Sequence, residues 1–492
     1  MKTEVRQFGL QSSNLTPSIS TLMRVNAMHM YLSFVNISSS MGNPHALVIP
    51  YPVQGHVIPF MELSHSLVER GFKVTFVNTE FNHKRIVATL RNNRKDSQIR
   101  LVSIPDGFGP DESRNNIVKL CHATQHIFPG ELEKLITMIN RSDDDDDVTC
   151  VISDMGAALE VAEKMEIKRA VFWTMSAANV AFTQSVEKLI DMGIIDHDGR
   201  LMKNQMIQLS PTMPAINPAN FIWLCIGDAA TQKQIFEIMV NNNKAQKVAN
   251  WLICNSSYGL EPAAFELIPN ILPIGPLFAS SQLEKPEGHF WAEDVTCLNW
   301  LNQQPDRSVI YVAFGSITIF DKTQFQELAM GLELSGQPFL WVVRPDFING
   351  LCDTYPDGYQ ARVGTRGKIV EWAPQQNVLA HPSISCFVSH CGWNSTMEAV
   401  SNGVRFLCWP YYADQFLNQS YICDVWRVGT RLTADDSGII RGEEIKEKVK
   451  KLLGDEEIKI RISELMIIAR KSVIDGGDSS INLDKFVDNI KQ

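Results

Sequence analysis

Twice along this chain, unbroken apolar runs of strand length alternate with segments of helical period. In the first series the runs are "HALVIPY" (45–51), "KVTFVN" (73–78), "VTCVISD" (148–154) and "RAVFWT" (169–174). Strands buried on both faces read as continuous apolar runs, and such strands belong to parallel sheets covered by helices. Between the first two runs, Phe60, Leu63, Leu67 and Val68 fall on one helical face. The helix is predicted to open at Pro59, a favoured first-turn residue, and to stop at Gly71. A second series begins near 308 with "SVIYVAFGS" and a helix from about Asp321 to Leu334, followed by "PFLWVVR", "KIVEW", "ISCFVSH" and "RFLCWP". One sheet of that many strands would be unusually large, and 492 residues exceed a single core. Two doubly wound halves are therefore expected: residues 44–277 and 297–467. The polar, aperiodic stretch 278–296 would link them, and the closing helices would span 468–492.

Residues 1–43 stand apart. They are rich in Ser and Asn, carry one acid (Glu4) and three bases, and show no clean period. A flexible, dispensable extension is the expectation, with a transit-like peptide or a rarely used upstream start as alternatives to it. Acids outnumber bases 55 to 45, and no basic tract resembles a nucleic-acid surface. No apolar run is long enough to span a membrane. The ten cysteines form no C-x-x-C pair and no Cys/His cluster of zinc-like spacing, so buried free thiols in a reducing, cytoplasmic setting are expected.

In open α/β sheets, ligands bind beyond the carboxyl ends of the strands. That rule selects His56, after the first run, and Asp154 and Thr174, which close two others. A carboxylate on one imidazole nitrogen would leave the other free to take a proton. Equally, both residues could simply cap helices. In the second series the rule selects Gly315, Ser316 and "HCGWNS" (390–395). There a strand meets a helix start at a glycine, and free N–H groups with the helix dipole suit an anion; a plain capped helix is the alternative. Neither the G-x-x-x-x-G-K-[ST] nor the G-x-G-x-x-G pattern is present, which argues against a P-loop NTPase or an ordinary dinucleotide enzyme.

The segment Trp372–Gln415, "WAPQQNVLAHPSISCFVSHCGWNSTMEAVSNGVRFLCWPYYADQ", closely resembles the signature box of plant UDP-dependent glycosyltransferases of secondary metabolism. "PVQGHVIPFMELS", "VISD" and "VIYVAFGS" fit the same family, over about 44–492. The resemblance implies an α/β GT-B fold, with two doubly wound Rossmann-like domains facing each other across a cleft and C-terminal helices returning toward the first. It implies that Trp372 stacks on uracil, the Ala373 backbone bonds the base edge, and Gln375 and Glu398 hold the ribose. His390, Asn394, Ser395 and Ser316 would cradle the diphosphate. Trp393, Asp414 and Gln415 would bind the sugar, with Thr174 reaching it from the first domain. His56 and Asp154 match the family's catalytic dyad, so inverting transfer with no metal and no cofactor beyond the UDP-sugar co-substrate is implied. A closing Gln415 implies UDP-glucose. A monomer acting on a small lipophilic acceptor is expected.

One departure stands in the box: Arg405 replaces the usual Pro. A sugar-nucleotide epimerase or a non-catalytic binder of UDP-sugars would be the competing functions. For the acceptor, Phe108, Phe128, Met213, Phe221 and Trp223 on the loops 105–130 and 205–230 point to an aromatic-lined pocket. They do not name a compound.

Overall fold

A computed structural model describes residues 43–89, 98–109, 112–114, 116–142, 147–277, 288–345 and 355–491. The expected extension over 1–43, apart from Asn43, and most of the expected linker lie outside the described residues. Everything below belongs to the unit Pro44–Gln492.

The first series forms seven strands: β1 (His45–Ile49), β2 (Lys73–Thr79), β3 (Ile99–Ile104), β4 (Cys150–Ser153), β5 (Lys168–Trp173), β6 (Trp251–Cys254) and β7 (Ile271–Pro273). They make one sheet in the order β3-β2-β1-β4-β5-β6-β7, every pair parallel. The second series forms β8 (Val309–Ala313), β9 (Phe339–Val342), β10 (Gly367–Val370), β11 (Ile384–Ser389), β12 (Arg405–Cys408) and β13 (Gly429–Arg431). Their order is β10-β9-β8-β11-β12-β13, again all parallel. In each sheet the chain winds outward from one central strand and then from its neighbour in the opposite direction. A crevice opens where the direction reverses, at the carboxyl ends of β1 and β4 and of β8 and β11. The strands are solid apolar cores: every residue of β1, β4, β8 and β11 is buried.

Seven helices position the site or close the cores: α1 (Gln54–Glu69), α2 (Ala177–Gln184), α3 (Lys322–Leu334), α4 (Trp393–Ser401), α5 (Gln415–Ser420), α6 (Glu456–Val473) and α7 (Asp478–Lys491). α3 begins where expected, with the Asp321 carboxylate accepting from the Gln324 N–H at 2.8 Å. α1 does not. It starts at Gln54, so Pro59 lies inside it rather than in its first turn. α7 crosses back to the first sheet. Its Leu483, Phe486, Val487 and Ile490 share a core with Ala46 and Val48 of β1, Phe76 of β2 and Phe60 of α1.

The halves are joined by a continuous apolar cluster in which Trp173, Ala177 and Leu260 of the first meet Trp393, Tyr421 and Trp426 of the second. Within it the Trp426 indole N–H donates to the Leu260 carbonyl at 3.0 Å, and the Asn179 amide donates to Asn418 Oδ1 at 3.1 Å. The nine described cysteines are free thiols, most of them buried. Arg405, the departure from the family pattern, opens β12 and is buried. Its guanidinium donates to the carbonyls of Ser385, Leu452 and Leu453 at 3.3, 3.0 and 3.2 Å, which ties the end of a neighbouring helix to the sheet. Its role is structural, and it touches none of the proposed site residues.

Candidate active site

At the first crevice, four residues separate β1 from α1, and His56 is the third residue of α1. Asp154 directly follows β4, the strand beside β1 in the sheet. His56 Nδ1 therefore meets Asp154 Oδ2 in a short hydrogen bond. The carboxylate's second oxygen accepts from the Tyr51 N–H at 2.7 Å. Thr174, at the end of β5, brings its hydroxyl to 3.3 Å from the same His56 nitrogen. Asp154 is buried and held from two sides, while the His56 side chain keeps 31% of its surface exposed. With Nδ1 engaged, Nε2 is the ring nitrogen left for chemistry.

At the second crevice His390 lies between two glycines. A Cβ on Gly315 or on Gly392 would come within 2.8 or 2.4 Å of its Nε2. Gly315 also has φ +69°, a left-handed conformation that suits glycine. Burial, helped by the Arg344 guanidinium, holds the His390 imidazole down to about 4, so the ring is neutral near pH 7. Arg344 follows β9 and is itself buried. It clasps the loop after β8, donating to the carbonyls of Gly315 and, at 2.9 Å, of Thr318. Two residues separate His390 from α4, which has no side-chain cap at its N-terminus, and the Trp393 N–H meets the Asp414 carboxylate.

Beside that helix start, the Gln375 amide donates to Ser395 Oγ at 2.9 Å and to Glu398 Oε2 at 2.6 Å, and accepts from the Tyr311 hydroxyl at 3.1 Å. Burial pushes the Glu398 carboxyl up to about 7, against the Gln375 hydrogen bond. Trp372 carries Trp291 stacked on it at 4.6 Å and 25°. The Arg85 guanidinium lies 4.2 Å above the Trp291 ring. Asp414 accepts from Asn418 Nδ2 at 2.8 Å. Burial raises its carboxyl, opposed by that bond and by the nearby His56. Gln415 turns Oε1 to the N–H groups of Tyr411 and Tyr412, at 2.8 and 3.1 Å.

Two expectations need correction. The Trp393 ring is not available to a sugar: it is buried in the cluster between the halves, and its indole N–H donates to the Asn255 carbonyl at 2.8 Å. The aromatic wall expected on loop 205–230 is core instead. Phe182, Phe221, Trp223 and Phe236 stack in sequence at 4.9, 5.0 and 5.2 Å, and Trp223 donates to the Gly199 carbonyl. Phe128 and Met213 are buried as well, and only Phe108 is part-exposed. Arg344 and Tyr51 were overlooked, although the strand-end rule that found His56 also selects both.

The model of the family described as "UDP-glucoronosyl and UDP-glucosyl transferase" matches residues 231–481. The chain is 43% identical over 472 residues to UDP-glycosyltransferase 83A1 of Arabidopsis thaliana, covering 93% of this chain and 98% of that one. The chain belongs to the UDP-glycosyltransferase family. This glycosyltransferase is also 33% identical to linamarin synthase 1 of Manihot esculenta, over 91% of its own length and 97% of the relative's. A solved UDP-glucosyltransferase from Polygonum tinctorium, capable of glucosylating indoxyl, superposes with a TM-score of 0.78. That match has 27% identity and covers 92% of the glycosyltransferase and 100% of the solved chain. The GT-B fold and the transfer of a glycosyl group from a UDP-sugar to an acceptor follow. Among the described residues, no helix is long and apolar enough to cross a membrane, and no group of three or more His, Cys, Asp or Glu could hold a metal ion.

Proposed function

We propose that the enzyme transfers glucose from UDP-glucose to a hydroxyl or carboxyl group of a small lipophilic molecule, with inversion at the anomeric carbon. One observation carries the reading: the His56–Asp154 pair is held by buried groups on one side and open on the other, and Gly55, the residue before His56, accepts from Asn394 at the start of α4 in the second half. His56 Nε2 takes the acceptor's proton as the acceptor oxygen attacks the anomeric carbon. Asp154 stabilises the imidazolium that forms. The bond to the UDP oxygen breaks on the opposite face, and the charge that develops on the diphosphate meets the α4 N–H groups, Ser316 and His390. The scheme needs no metal and no further cofactor. Uracil would stack on Trp372 with the Ala373 backbone at its edge, and Glu398 with Gln375 would take the ribose diol. Thr174 is better read as a partner of His56 than as a sugar contact.

Glucose is favoured by the pair that closes the box. Gln415 Oε1 is already engaged by backbone, which leaves its Nε2 to donate, while Asp414 accepts. Together they suit adjacent equatorial hydroxyls. An axial 4-hydroxyl would leave one buried group unpaired, at a cost of ~1–3 kcal/mol. A glucuronate carboxylate would stand against Asp414. Turnover of an acceptor panel, with equal concentrations of UDP-glucose, UDP-galactose and UDP-glucuronate and mass-spectrometric readout, tests this. Glucosides should dominate; a majority of galactosides or glucuronides would overturn the donor assignment.

A further inference from the structure

The side-chain amide of Asn394, the second residue of α4, donates across the cleft to the backbone carbonyl of Gly55, the residue before His56. That carbonyl is available for a reason written four residues on. In a regular helix the N–H of residue 59 would bond it, but residue 59 is proline and has no N–H. A proline ring inside a helix also crowds the carbonyl four residues back, which tilts it outward. Because a carbonyl only accepts, the amide's orientation is determined: Nδ2 faces Gly55, and Oδ1 is turned away, buried and without a hydrogen-bond partner.

We propose that Pro59 and Asn394 form a positioning pair. Pro59 exposes the Gly55 carbonyl, and Asn394 holds it against the helix that binds the donor's diphosphate. The peptide unit that carries His56 is thereby set in height and angle relative to the sugar. The proposal rests on the reading of His56 as the base. It also narrows the part Asn394 can take toward the nucleotide. Only its second Nδ2 hydrogen can serve a phosphate oxygen, while Oδ1 suits a donor such as a hydroxyl or water. An ordinary first-turn phosphate ligand would need no partner at position 59.

A double-mutant cycle on the full chain tests the pair, with kcat at saturating donor, UDP affinity and melting temperature as readouts. Asn394→Ala should lower kcat by about tenfold, the upper weight of one neutral hydrogen bond. Pro59→Ala restores a competing N–H to Gly55. It should lower kcat by about threefold while UDP affinity holds and melting temperature stays level or rises, since an interior proline disfavours a helix. A loss of activity with no loss of stability is not what a merely structural residue produces. The double variant should be no worse than Asn394→Ala alone. Asn394→Asp, which sets a carboxylate against the carbonyl, should fall below Asn394→Ala. Losses that multiply to about thirtyfold, or Pro59→Ala turning over like the parent, would overturn the pair. His56→Ala, measured alongside, separates the two readings. Near-parental turnover there removes the base assignment and the positioning role with it; loss of turnover there with a multiplicative cycle removes the pair alone.

Discussion

The two halves repeat one topology, yet their crevices use it in different ways. At the β1/β4 crevice the site is built from side chains: a carboxylate and a hydroxyl converge on one imidazole nitrogen. At the β8/β11 crevice it is built largely from backbone: two glycines make room for a neutral histidine, beside a helix start with no side-chain cap and a loop whose carbonyls are clasped by Arg344. The contrast fits what each would do in the proposed reaction. Moving a proton needs a group whose charge can change, whereas meeting developing negative charge needs donors that are already in place. A fold that supplies strand ends at a switch point does not choose between these uses; the few residues after each strand do.

The sharpest way to break this contrast is to remove the proton acceptor. His56→Ala should lower kcat by about 10²–10⁴-fold and leave UDP affinity unchanged, as read by turnover and calorimetry. Activity within a few-fold of the parent would place the chemistry elsewhere. Gly392→Ala probes the other crevice. A Cβ placed 2.4 Å from His390 Nε2 must displace the ring, so UDP should bind about tenfold more weakly, the equivalent of one lost hydrogen bond. The His56–Asp154 pair should be untouched. Trp393→Phe asks whether the box tryptophan belongs to the donor site or to the seam between halves. It leaves the Asn255 carbonyl buried and unpaired, so stability should fall by ~1–3 kcal/mol in chemical denaturation while the donor KM stays near the parent's. A large rise in KM with unchanged stability would return Trp393 to the sugar.

The smallest expected effect is a pH dependence at the seam. Glu261 is fully buried, accepts from the N–H groups of Ala177 and Ala178 at the start of α2 at 2.9 and 3.0 Å, and is pushed up to about 7 by burial. Its folded value lies above the unfolded one, near 4.5. Its contribution to stability is therefore full below about pH 4.5 and declines as pH rises toward 7. Glu261→Gln should flatten that part of the melting-temperature profile. A profile with the same slope as the parent would show that Glu261 does not titrate there.

Strands were legible in the sequence because burial on both faces leaves no alternation to misread; β1, β4, β8 and β11 lie within the runs that announce them. What was not legible depends on the other half of the molecule. Pro59 is read locally as a helix start, whereas it lies inside α1, and the Gly55 carbonyl four residues before it accepts from the Asn394 amide, far away in sequence. Trp393 stands in a motif that promises sugar contact, but the direction of its ring is decided by Asn255. Phe221 and Trp223 look like pocket lining by composition, and it is packing against Phe182 and Phe236 that makes them core. Arg344 could have been found, since it closes an apolar run at a strand end in the same way as Asp154.

The return of α7 to the first sheet has a consequence for synthesis on the ribosome. Phe486 packs on Trp251 at 5.9 Å, and the Asn482 amide donates to the Pro273 carbonyl at 3.0 Å. The core around β1 is therefore completed by residues translated after the whole second half. The nascent first half emerges with an apolar face uncovered, and that face stays open while the whole second half is made. A chain cut after the first sheet would carry the same open face permanently, which marks it for chaperones and for aggregation. The two halves look like separable modules in topology, but the core of the first waits for α7, which follows the second.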